Sequence, residues 1–133
     1  MKLETTRYLA KAGQCLSNAR SMFVINLSND AARSAYLAAF HASQALIFER
    51  TGKVAKTHQG VQREFHRLAK GEPRIDRSFP PFLSHAYNLK AVADYETGPD
   101  SDIPLERSAE AIETAGRFLA CIAELIGANP SNP

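Results

Sequence analysis

At 133 residues the chain is long enough for one hydrophobic core and so reads as a single domain. Hydrophobic residues at 44% and charged residues at 23% are ordinary for a globular protein. No apolar run is long enough to cross a bilayer, and the N-terminus carries charges where a signal peptide is apolar, so a cytoplasmic protein is expected.

Five helices are predicted and no strand. The first runs from about Glu4 to Asn26, with Leu9, Ala12, Leu16, Ala19 and Phe23 at three-four spacing. Ser28, Asn29 and Asp30 read as a cluster of N-cap residues. The second helix then runs to about Arg50, and Gly52 stops it. Ala32, Ala35, Ala39, Ala42 and Leu46 form a small-residue stripe, beside a bulkier one of Tyr36, Phe40 and Ile47.

A short third helix is expected after Thr57 as its cap, with Val61, Phe65 and Leu68 as its apolar edge and Gly71 and Pro73 at its end. Pro80 and Pro81 fit only in or before the first turn of the fourth helix, which stops before Gly98. On this helix Leu83, Tyr87, Lys90 and Asp94 share one stripe, while Phe82, Ala86, Leu89 and Ala93 form an apolar floor beside it. Pro104 opens the fifth helix, whose apolar face is traced by Leu105, Ala109, Ile112, Gly116, Leu119 and Ile126. The pattern is all-α: an antiparallel four-helix up-and-down bundle over 1–128 with an additional short helix, and a disordered tail over 129–133.

The net charge of +2 hides an asymmetry. Residues 1–93 hold 14 Lys/Arg against 6 Asp/Glu, and residues 94–133 hold 2 against 8. The basic excess peaks between Arg50 and Arg77 and includes Arg63, Arg67 and Lys70. Such a block can attract polyanions, and it reads also as a solvated helix and two charged loops, since aromatic residues are not interleaved with the charges as in a stacking platform.

There is no glycine-rich phosphate loop, no CxxC, no HExxH and no Glu with His at ExxH spacing. His41, His58, His66 and His85 fall far apart, and Cys15 and Cys121 lie in apolar helical patterns as buried thiols. No metal site and no cofactor are expected.

Three pieces together resemble the HEPN superfamily, in particular the small stand-alone UPF0332-like HEPN proteins. They are Ala31–Gly52, Lys56–Phe65, and Ala86–Glu96 followed by a last helix with Ala115–Ile122; the resemblance covers about residues 5–126. It implies a helical bundle that homodimerises. It also implies a metal-independent ribonuclease of a toxin–antitoxin-like module, paired with a nucleotidyltransferase partner. The family's usual signature is an Arg and a following His with four to six residues between them, Arg stabilising the charged transition state and His transferring a proton at the 2′-hydroxyl. No Arg here precedes a His at that spacing. Where such relatives have RxxADY, this chain has Lys90 through Tyr95, and Lys keeps the charge without the planar fork of Arg.

Lys90, Asp94 and Tyr95 are therefore the candidate catalytic residues, and Arg33, Arg63, Arg67 and Lys70 the candidate RNA-binding ones. Each has a plainer reading. Lys90 and Asp94 can be an exposed i,i+4 ion pair. Tyr95 can cover the bundle end with a wet hydroxyl, and Arg33 and Tyr36 can be solvated and packed respectively. His41 fits an interior histidine, and His58 fits a residue that fixes the start of the third helix. A non-catalytic protein-interaction module is the rival to the RNA-acting reading. The Ala stripe and the small Ala86 and Ala93 positions suggest close helix–helix approach in a symmetric dimer.

Overall fold

The computed structural model describes residues 1–98 and 102–127. Among these there are five α-helices and no strand: α1 (Leu3–Val24), α2 (Ser28–Thr51), α3 (His58–Lys70), α4 (Phe79–Tyr95) and α5 (Leu105–Ile126). The expected tail over 129–133 lies outside the described residues, as does part of the connection between α4 and α5.

Local chemistry sets most of the helix ends. Asn26 takes a left-handed conformation with φ 64°, which ends α1 two residues before the predicted boundary. Gly52 closes α2 at φ 71°, and its N–H reaches the Phe48 carbonyl. Thr57 caps α3: its hydroxyl oxygen accepts the Gly60 N–H at 3.0 Å. Pro80 and Pro81 lie in the first turn of α4, where their missing N–H groups leave no bond unmade.

The start of α2 corrects a sequence expectation. Leu27 occupies the N-cap position, and no side chain caps this helix. The polar cluster serves α5 instead. The Ser28 hydroxyl donates to the Ser108 hydroxyl at 2.9 Å, and the Asn29 side-chain oxygen accepts the Ile103 N–H at 2.9 Å. These groups tie the entry of α5 to the start of α2, a tertiary use of residues whose local preference is capping.

α2 is the central helix, packed by α1, α3, α4 and α5. Its alanines 31, 32, 35, 38, 39, 42 and 45 are all buried, and their small side chains let the neighbours approach closely. The Ala stripe is thus used inside the chain, and close packing between copies would need another face. At one end of the bundle the α1 residue Thr5 donates to Glu49 of α2 at 2.9 Å, so these helices are antiparallel. Contacts from Arg33 near the start of α2 to Asp94 near the end of α4 make that pair antiparallel as well. The Ser28–Ser108 bond sets α5 parallel to α2, which completes an up-and-down order.

The main core gathers around Phe118 of α5, whose ring lies 5.0 Å from Phe65 of α3 and 5.0 Å from Phe79 of α4. The buried row of α5 is Ser108, Ala111, Ile112, Ala115, Phe118 and Ile122. It is rotated from the predicted face: of the six residues expected there, Ile112 alone belongs to it, and Leu105 is 43% exposed. The small Ser108, Ala111 and Ala115 permit this rotation because they seat α5 directly against α2. No helix among the described residues is long and apolar enough to cross a membrane.

Candidate functional site

Two adjacent layers of polar side chains join α2 to α4. In the first, the Asp94 carboxylate accepts from two cations at once. Lys90 Nζ stands 2.7 Å from Oδ2, and Arg33 Nε stands 2.6 Å from Oδ1. Arg33 turns a second nitrogen, Nη1, to Asp30 at 2.7 Å. All three principal groups are partly covered, with side-chain exposures of 20% for Asp94, 27% for Lys90 and 32% for Arg33. Hydrogen bonding to Lys90 first, and to Arg33 second, holds the Asp94 carboxyl below its usual range. Reciprocally, Asp94 raises both cations further above theirs.

The second layer lies about one helical turn, or ~5 Å, away, because Tyr36 follows Arg33 by three residues and Tyr87 precedes Lys90 by three. His58, the first residue of α3, is stacked on Tyr87 with ring centroids 3.8 Å apart and planes at 11°. Its Nδ1 lies 2.9 Å from the Tyr36 hydroxyl. Burial raises the Tyr36 pKa far above its ordinary value and lowers that of His58. Tyr36 therefore stays protonated, and the direction of its bond to Nδ1 follows the histidine tautomer. With the ring proton on Nδ1, His58 donates to the Tyr36 oxygen and its Nε2 is left as the acceptor. A neutral histidine fixed in orientation about one helical turn from two cations is an arrangement suited to proton transfer near phosphate.

The sequence-derived candidates divide into three groups. Lys90, Asp94 and Arg33 converge, and Lys90 is neither free in solvent nor remote from α2. Tyr95 is adjacent but 76% exposed, and it makes no hydrogen bond or ring contact among the described residues. Arg63, Arg67 and Lys70 form a separate exposed stripe along α3, with Arg67 paired to Glu64 at 2.8 Å. His58 and Tyr87 meeting face to face was not foreseen. The available signal was the position of His58 directly after the Thr57 cap, which fixes the ring at a helix start. His41, expected in the interior, is only half-buried, and its Nδ1 lies 2.7 Å from Gln44 Oε1. Among the described residues, no group of three or more His, Cys, Asp or Glu is placed to hold a metal ion.

The family model for the HEPN domain matches residues 5–125 of this chain. A protein of Methanocaldococcus jannaschii named "Putative toxin MJ0605" is 35% identical over 101 residues, which cover 76% of this chain and 72% of that protein.

Proposed function

We propose, from the premise that this chain belongs to the HEPN domain family, that it is a toxin-like protein acting on RNA through the groove between α2 and α4. The observation that carries this reading is the convergence of Arg33 and Lys90 on Asp94, one turn from the oriented His58. In this reading the two cations hold the scissile phosphate and stabilise the charge that grows on it. Asp94 positions them. His58 takes the proton from the ribose 2′-hydroxyl as that oxygen attacks phosphorus and the 5′-oxygen leaves, giving a cyclic phosphate. Tyr95 supplies an exposed surface for a base, and the α3 stripe of Arg63, Arg67 and Lys70 attracts the strand.

The test is cleavage of total RNA by the purified protein, with Lys90→Ala and His58→Ala as controls. Cleavage lost in both variants is the expected result, and cleavage that survives in both refutes the assignment.

One observation favours a second reading, the non-catalytic interaction module. Arg33 and Lys90 are already neutralised by Asp30 and Asp94, so the layer also serves as a clamp between helices. A folded protein that cleaves no RNA and co-purifies with a small nucleotidyltransferase supports that module. In either reading the working unit is proposed to be a cytoplasmic homodimer, which light scattering at micromolar concentration checks.

A further inference from the structure

A cavity of about 470 Å³ opens where the end of α3, the loop after it and the start of α4 meet, far along α4 from Lys90. Its size is that of a small-ligand site. Ile75, Pro80 and Pro81 give it an apolar wall, and His66, Lys70 and Arg77 stand at its edge. The two carboxylates there are already engaged. Glu72 binds Arg74 at 2.7 Å and lies 3.8 Å from Arg50, while Asp76 accepts from the Ser78 N–H and hydroxyl at 2.8 and 2.7 Å. His66, Lys70 and Arg77 have no ion-pair partner among the described residues. The polarity left over is three donors, His66, Lys70 and Arg77, against one further Asp76 oxygen, an excess of donors that suits an anion with a flat apolar body.

We infer that this cavity binds one nucleotide of a single-stranded RNA, its base against the proline wall and its phosphate on Lys70 and Arg77. Two features point to a strand rather than a free anion. Arg63, Arg67 and Lys70 share one exposed face of α3 that leads into the cavity. The same helix begins at His58, in the candidate site. The eight residues from His58 to His66 span about 12 Å at the α-helical rise, so α3 sets a fixed distance between the reacting phosphate and the held base. This selects where along a strand the protein acts. It rests on the RNA reading above and adds a subsite to it.

The experiment compares binding of a fluorescent single-stranded RNA with the same oligonucleotide carrying abasic sites, by anisotropy, using the full chain. Intact RNA is expected to bind about tenfold more tightly, within the range of a single base contact. Ala69→Trp, which fills the cavity from its α3 side, should abolish that ratio and leave abasic binding unchanged. His66→Ala with Arg77→Ala, both at exposed positions, should reduce the ratio and decides the question if the Trp variant misfolds. Equal binding of the two oligonucleotides by wild type, a ratio that persists in the folded variants, or no RNA binding at all overturns the inference. Cleavage with equal binding leaves the RNA reading standing without the subsite; a tenfold ratio without cleavage leaves the subsite standing without the nuclease.

Discussion

Replacing Asp94 by Asn removes one charge from the layer that joins α2 to α4 and changes almost no volume. The amide keeps one acceptor for Arg33 or Lys90 and turns a donor toward the other, so one charge-assisted contact weakens and the second is lost. Fully exposed ion pairs contribute about 0.2–1 kcal/mol each. These two are mostly covered and share one carboxylate, so the expected loss is about 1–2 kcal/mol in total. For a domain of this size, that lowers the melting temperature by about 3–8 °C. The sign with pH follows from the depressed carboxyl pKa. The stabilisation is present above the unfolded value near ~4 and is lost as pH falls through the folded value below it. Thermal melts of both proteins should therefore differ at pH 7 and converge toward pH 3. The same substitution frees Arg33 and Lys90 for polyanions, so RNA affinity should rise and its salt dependence steepen. A stability difference under about 0.5 kcal/mol at pH 7 would refute the clamp. Unchanged RNA affinity would separate this groove from RNA binding altogether.

Three further outcomes are expected. His58 and His41 both have pKa values lowered by burial, so wild-type stability should fall as pH drops from about 6.5 through their folded values; His58→Gln should flatten part of that slope in urea titrations followed by circular dichroism. Phe118→Ala empties the junction of α3, α4 and α5 and should cost about 3–5 kcal/mol by denaturant unfolding, whereas Tyr95→Ala at an exposed site should change stability by less than about 0.5 kcal/mol. Neutralising Arg63, Arg67 and Lys70 together should weaken RNA binding across sequences and flatten its salt slope by roughly 2–3, and an unchanged slope would remove α3 from the RNA path.

What the sequence revealed and what it hid divide along the range of the interactions. Thr57, Gly52 and the Pro80–Pro81 pair act within one turn of chain, so their roles could be read from local rules. The shared stripe of Lys90 and Asp94 is likewise a matter of helical period. Ser28 and Asn29 misled because a serine or asparagine before an apolar run is a capping residue only if no other element claims its side chain, and here α5 does. The face of α5 was misjudged for a related reason. Leu105 and Leu119 are the larger side chains, but the centre of contact with α2 goes to Ser108, Ala111 and Ala115, because small residues are what let two helices touch.

The Tyr36–His58–Tyr87 layer was hidden most deeply, and it depends on the connection between α2 and α3. Gln44, buried in α2, donates its side-chain N–H to the Ala55 carbonyl at 2.7 Å, which pins that connection against the bundle. Thr57 then starts α3 at a fixed point, and Gln62 donates to the Pro80 carbonyl at 3.2 Å, which lays α3 antiparallel along α4. Once both ends are fixed, His58 lies at the height of Tyr87, and the face of α3 that carries Arg63, Arg67 and Lys70 remains outside. A histidine that follows no arginine at the family's usual spacing is thereby brought to about one helical turn from Arg33 and Lys90 by folding alone. It follows that disturbing the connection should act on the site at a distance. Gln44→Leu removes the donor to Ala55, together with the acceptor for His41 Nδ1. It should loosen the His58–Tyr87 stack, move the histidine ring resonances toward their solvent-exposed shifts and raise the His58 pKa, while the Asp94 clamp one turn away keeps its contribution to stability. Unchanged His58 titration in a folded Gln44→Leu protein would show that α3 is held by its contacts with α2, α4 and α5 without this bond.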